Sequence, residues 1–324
     1  MDASNSVAAE SGSSSCSSSD LTQIERAARG KEITGLDIFR PTTDTMTADR
    51  VQTLMSMMNT DQPAGGEDLI YGPSDAHQLR YWKGRSPNAP IILFIHGGSW
   101  RVGSHLDSIG STKVGHLLKK GYSFATVNYT LIPKVTVAEQ VQEVADSVGY
   151  LTRNAAKLGF DHSRIILMGH SSGAHTATLL GTDASYLDRA GVAIHNIRAV
   201  ISLDGSNYNA MAEVLDSPGP VAENMMAGLG RDPEILRAMS PTYNARAPNA
   251  NAFLLLQAER QGDIRQAEEL KLALKAAGTS ADLHVFEGES FEGHMQMLLR
   301  LGDKEYPATV VLDDWLKNHV PVSE

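Results

Sequence analysis

With 324 residues, 42% hydrophobic and 20% charged, the chain has room for one large globular domain and contains no unbroken apolar run long enough to span a bilayer. The formal net charge is −10 and no dense run of Lys or Arg occurs, so a nucleic-acid partner is not expected. Cys16 is the sole cysteine, which rules out an intrachain disulfide.

Residues 1–20 are rich in Ser, Ala and Gly and carry neither a basic n-region nor an apolar h-region. They are expected to be a disordered tail, and the location expected is cytoplasmic, with a lipid anchor on Cys16 or a trimmed export signal as alternatives. Residues 21–66 read as an N-terminal flap. Within it Val51, Leu54, Met55 and Met58 recur at helical spacing, which fits a helix on the outside of the core or a lid over an active site.

From residue 67 onward a regular alternation begins. Leu69–Tyr71 and Leu79–Trp82 read as two paired strands, followed by the apolar runs Ile91–Ile95, Phe124–Val127, Ile165–Met168, Ala199–Leu203, Phe253–Leu256 and Leu283–Phe286. Most of them are separated by helix-like stretches. Continuous apolar strands alternating with helices predict an α/β fold with a mostly parallel sheet covered on both faces. The rhythm breaks over 206–251, where Met211, Met225, Met226 and Met239 accompany Pro218 and Pro220, and this piece reads as a small cap-like insertion.

The chemistry concentrates at Gly169-His170-Ser171-Ser172-Gly173, where a buried strand runs into a helix through Gly-x-Ser-x-Gly. A serine hydroxyl becomes a useful nucleophile when a sharp strand-to-helix turn holds it out, and only small neighbours fit beside such a turn. The first central strand ends in His96-Gly97-Gly98-Ser99-Trp100, the place where backbone amides can receive a developing oxyanion. Gly98 and Ser99, with the amide of Ser172, are the expected donors, and Gly97 is the alternative to Ser99. Trp100 and His170 are expected to line the substrate pocket.

Such a serine is served by an acid and then a histidine that follow it in the chain. His294 lies beyond the last strand and ahead of a helix expected to begin near Met295, and it is the histidine that fits. His284 falls within a strand and reads as a core residue, His319 falls in the closing helix, and His170 and His175 flank the nucleophile. The strand Phe253–Leu256 is followed by two carboxylates, Glu259 and Asp263. Asp263 is preferred because it precedes a helix, where the loop turns toward the histidine; Asp204, at the end of the preceding strand, reads as structural.

The segments His96–Trp100, Asn128-Tyr129-Thr130-Leu131-Ile132-Pro133 and Gly169–His175 resemble the esterase and lipase branch of the α/β-hydrolase fold related to hormone-sensitive lipase. They are more similar still to its kynurenine formamidase relatives. The resemblance runs from about Gly66 to Val320. It implies a serine carboxylesterase working through Ser171, His294 and Asp263 on a small-molecule ester, without metal or organic cofactor, and an aryl formamidase or amidase on the same residues is the alternative. Ser99 stands where hormone-sensitive-lipase relatives carry a third glycine, a departure toward the formamidase side. A non-catalytic binding protein of this fold would be expected to lack a member of the triad, and a haloalkane or epoxide hydrolase would need Asp in place of Ser171. For assembly, the expectation leans to a homodimer.

Overall fold

A computed structural model describes residues 63–322 apart from 108, 111 and 217–219. The expected tail and nearly all of the expected flap lie outside the described residues. Among the described residues eight strands form one sheet: β1 (Glu67–Ile70), β2 (Gln78–Trp82), β3 (Ile91–Ile95), β4 (Ser123–Val127), β5 (Ile165–His170), β6 (Ile197–Leu203), β7 (Ala252–Glu259) and β8 (Ser280–Glu289). Their order is β1-β2-β4-β3-β5-β6-β7-β8, with β1, β2 and β4 joined antiparallel and every other pairing parallel. This is the α/β-hydrolase architecture that the sequence pattern predicts.

Successive side chains of a strand point to opposite faces, so β3 feeds two cores at once. Ile91, Leu93 and Ile95 join one apolar cluster, and Ile92 and Phe94 join the other. That is why its sequence is apolar without alternation. Between the strands run α1 (Lys113–Lys119), α2 (Val137–Leu158), α3 (Ser172–Thr182) and α4 (Ala184–Arg189). The longest, α2, starts on a capping box in which the Thr136 side chain accepts from the Glu139 amide while Glu139 accepts from the Thr136 amide.

Between β6 and β7 the interruption at 206–251 holds four short helices: α5 (Ala210–Asp216), α6 (Pro220–Leu229), α7 (Pro233–Ala238) and α8 (Pro241–Asn244). Met225 and Met239 are buried there and Met211 is exposed, so the methionines divide between packing and surface. The chain closes with α9 (Gln261–Ala276), α10 (Ser290–Arg300) and α11 (Pro307–His319). Val114 and Leu117 of α1, Leu298 of α10 and Leu312 and Trp315 of α11 cover one face of the sheet; Val141 and Val148 of α2 and Leu270 of α9 cover the other. Among the described residues no helix is long and apolar enough to cross a membrane.

Two expectations shift. His284 is exposed rather than part of the core, because β8 is the last strand of the sheet and has a neighbour on one side only. Helix α10 begins at Ser290 and not near Met295. A Cβ on Gly293 would lie 2.0 Å from the Gly288 carbonyl oxygen, so a glycine there lets the chain turn from β8 straight into the helix. His294 therefore stands inside α10, one turn from its start.

Candidate active site

The turn from β5 into α3 has the strain that a presented nucleophile requires. Ser171 sits at φ 57°, ψ −125°, a backbone region that residues with a side chain rarely occupy. The turn is also crowded. A Cβ on Gly169 would lie 2.1 Å from the Gly173 carbonyl oxygen, and one on Gly173 would lie 2.2 Å from that of Ile95. The two glycines of Gly-x-Ser-x-Gly are thus demanded by close backbone approach, and α3 starts at Ser172 with its first amides lacking intrahelical partners.

Beside this turn lies the end of β3. A Cβ on Gly97 would come within 2.9 Å of the Ser171 Cβ, and the Trp100 amide donates to the Ser172 Oγ at 3.4 Å. Ser99 and Trp100 both take positive φ, at 52° and 62°, which bends the segment around the start of α3. The residues expected to receive an oxyanion, Gly98, Ser99 and Ser172, therefore belong to one compact corner. His96 fixes the base of that corner: its ring stacks on Tyr129 with centroids 4.4 Å apart, and the Tyr129 hydroxyl donates to the His96 carbonyl at 2.8 Å.

His294 reaches the same place from α10. Its ring lies 4.3 Å, centroid to centroid, from that of His170, the residue before Ser171, and the His170 Nε2–H donates to the His294 carbonyl at 3.0 Å. His170 is buried, and burial first, then the nearby His294, pushes its imidazole well below the usual range. It works as a neutral spacer packed between the nucleophile's strand and the second histidine. Trp100, the other expected pocket residue, is buried edge-on to His175 at 5.4 Å between ring centroids.

The acid differs from the one expected. The carboxylate at His294 is Asp204, whose Oδ2 lies 2.6 Å from His294 Nδ1. Asp263 does not meet the histidine: it sits in the first turn of α9, and its Oδ2 pairs with Arg260 Nη1 at 2.9 Å. Glu259, the last residue of β7, is exposed. The reason is geometric. β6 ends one strand nearer to the nucleophile than β7, and Asp204, at φ 46°, turns its side chain across the end of the sheet. Its Oδ1 accepts from the Ala258 amide at 2.9 Å and its own amide donates to the Leu256 carbonyl at 2.7 Å, so β7 braces it.

Asp204 is completely buried. Burial alone would raise its carboxyl; the hydrogen bond and charge of His294, the Arg260 cation and the Ala258 amide outweigh that and hold it below the usual carboxylate range. For His294, burial and then Arg260 lower the imidazole below its ordinary value, while the bond to Asp204 and its charge pull the other way. A carboxylate on Nδ1 means that Nδ1 carries the proton and Nε2 carries the lone pair. Arg260 itself, in the turn after β7, drew no attention in the sequence. Its signal was its place between the two candidate acids, Glu259 and Asp263.

A strand-nested serine at a strained turn, a histidine from beyond the last strand and a carboxylate on its far nitrogen, all on this sheet, define an α/β-hydrolase. The family model described as BD-FAE matches residues 79–274, and the chain belongs to that family of α/β-hydrolases. Among curated relatives it is 25% identical over 254 residues to a probable isoprenylcysteine alpha-carbonyl methylesterase of Oryza sativa subsp. japonica, covering 74% of this chain and 57% of that protein. It is 26% identical over 250 residues to the kynurenine formamidase of Danio rerio, covering 76% and 80%. The chain spans about half the length of the methylesterase relatives it matches. Esterase B of Lactobacillus rhamnosis superposes with a TM-score of 0.68 at 18% identity, over 84% of this chain and 91% of that one. The apo form of Thermogutta terrifontis esterase 2 does so at 0.63 and 21%, over 81% and 97%. At those identities the likeness is one of fold.

Proposed function

We propose that this protein is a serine carboxylesterase acting on small to medium carboxylic esters, with Ser171 as nucleophile, His294 as general base and Asp204 as the acid. The observation that carries the reading is the 2.6 Å contact between Asp204 Oδ2 and His294 Nδ1, which leaves the lone pair on Nε2 of a ring whose centroid lies 4.3 Å from that of His170, the residue before Ser171. The names of the relatives, methylesterases and a formamidase, support carbonyl chemistry of this kind.

In the proposed reaction the Ser171 Oγ attacks the ester carbonyl carbon as His294 Nε2 takes the hydroxyl proton. The carbonyl oxygen becomes an oxyanion received by the amides of Gly98, Ser99 and Ser172, each donor contributing about 3 kcal/mol. As the intermediate collapses, the bond to the alcohol oxygen breaks and that oxygen takes the proton back from His294. Water, deprotonated by the same nitrogen, then releases the acid from Ser171. Asp204 stays ionised throughout, which its depressed carboxyl favours.

Ser171→Ala is expected to abolish turnover of a short-chain aryl ester and labelling by a fluorophosphonate probe; retention of either discards Ser171 as nucleophile. An aryl formamidase reading rests on the same residues and is favoured by the Danio rerio relative, which the alignment covers over 80% of its length. Relative kcat/KM on N-formylkynurenine and on butyryl esters separates the two, and the ester is expected to be the better substrate.

A further inference from the structure

Arg260 is partly buried, with 24% of its side chain exposed, and its guanidinium approaches three oxygens. Its Nε lies 2.9 Å from Asp204 Oδ2, its Nη2 donates to the Asp204 carbonyl at 3.1 Å, and its Nη1 lies 2.9 Å from Asp263 Oδ2. Asp263 is itself buried, with 3% of its surface exposed. The guanidinium therefore grips the backbone and the side chain of one aspartate while a second aspartate holds it from behind. Such a planar fork fixes orientation as well as charge.

The arrangement has a cost that requires a reason. Asp204 Oδ2 faces both His294 and Arg260, so the arginine competes with the imidazole for the same oxygen. An arrangement serving only to neutralise Asp263 would not need to touch Asp204 at all. What the contact adds is a carboxylate held at both oxygens: Oδ1 accepts from the Ala258 amide and Oδ2 lies 2.9 Å from the Arg260 cation.

We infer that Arg260, anchored by Asp263, is a positioning residue: it locks the Asp204 carboxylate against His294 and extends the enzyme's working range toward acid. This rests on the proposed role of Asp204 as the acid. The groups facing His294 are Asp204 from the end of β6, Arg260 from the turn after β7 and His170 from β5; Lys113 of α1 acts on His170 in turn. Around Arg260 stand Asp204, Asp263 and the buried Glu213 of α5, and Tyr208 and Tyr306 lie within the field of Asp204. Of those facing His294, Arg260 is the permanent cation, and it disfavours a second positive charge on the imidazole.

The test is a pH profile of kcat/KM on an aryl ester for wild type, Arg260→Gln and Arg260→Lys, with thermal unfolding run alongside. In Arg260→Gln, kcat is expected to fall by about 10-fold or more with KM little changed, since a slightly displaced catalytic group costs rate and not ground-state binding. The acidic limb of the profile is expected to move up as the cation is lost. Arg260→Lys keeps the charge without the fork, so its limb stays near wild type while part of the rate returns. A fall in kcat with an unmoved limb in Arg260→Gln, or wild-type kcat in both variants, overturns the inference. Should Arg260→Gln not fold, the lysine variant decides: wild-type kcat overturns the positioning role, and a reduced kcat with an unmoved limb upholds it. Failure of the underlying triad is seen separately, as Asp204→Asn working at the wild-type rate.

Discussion

The ends of β6 and β7 lie side by side in the sheet and each is followed or closed by a buried aspartate, yet the two aspartates do different things. Asp204 at the end of β6 is wholly buried, takes hydrogen bonds from His294 and the Ala258 amide and lies against Arg260. Asp263 beyond β7 is also buried, but its Oδ2 pairs with Arg260. Chain order fits both equally. What separates them is the strand that carries each one, because an acid one strand closer to the nucleophile reaches the imidazole without a long loop, and the β7 turn is then free to supply a countercharge instead.

This comparison is broken most directly by removing each carboxylate in turn. Asp204→Asn is expected to lower kcat by about 10⁴-fold, because a neutral amide on Nδ1 no longer selects the tautomer that leaves Nε2 bare. Asp263→Asn is expected to cost about 10-fold or less, because it loosens the hold on Arg260 and leaves the Asp204–His294 contact in place. Steady-state rates on one aryl ester decide the matter. The reverse ranking returns the acid to Asp263 and removes Asp204 from the proposed triad.

A smaller effect sharpens the same contrast through pH. The proposed base must be neutral to accept a proton from Ser171, and burial with Arg260 places the His294 imidazole below its usual value of 6.5. Lowered affinity for the proton means the neutral form persists as pH falls, so kcat/KM is expected to stay level through neutrality. It then drops about tenfold per pH unit only below the ordinary imidazole range. Asp204 raises the imidazole and Arg260 lowers it. The residual activity of Asp204→Asn is therefore expected to have its acidic limb displaced downward, opposite to Arg260→Gln. Displacement of both limbs in one direction would mean that the profile reports some other group.

Most of the frame was legible in the sequence. Every one of the eight strands overlaps a predicted segment, and the central ones, such as β3 and β5, were plainest because strands buried on both faces must be apolar at consecutive positions. Ser171 and the corner at Gly97–Trp100 were legible because backbone crowding permits only small residues there, and crowding leaves a mark on residue type. His294 was legible by its place after the last strand. Asp204 was not, although Leu203-Asp204-Gly205 stood in plain view. A carboxylate at a strand end carries no local signature of its partner, and the choice depended on how β6 and β7 end relative to each other in three dimensions. Arg260 escaped for the same reason, since an arginine between two acids on a turn reads as a solvated charge until the fold sets it against Asp204 and Asp263.

The smallest expected effect concerns the boundary between the corner and the interruption after β6. A Cβ on Gly228 of α6 would lie 3.2 Å from Trp100 Cε3, with Val137 and Ile132 just beyond, so α6 packs close over the indole. The backbone of Trp100 belongs to the corner proposed to receive the oxyanion and its ring to the contact with α6, so this ring is proposed to limit the room for the acyl chain. Trp100→Leu keeps an apolar side chain and opens part of that volume. Each methylene that then finds burial contributes about 0.8 kcal/mol, or close to fourfold in kcat/KM. The hexanoyl-to-butyryl ratio is expected to rise by up to that factor per methylene accommodated, while the rate on acetyl esters changes little. A uniform loss across all chain lengths would instead make Trp100 a packing residue that supports the corner, and the acyl chain would have to lie along another wall.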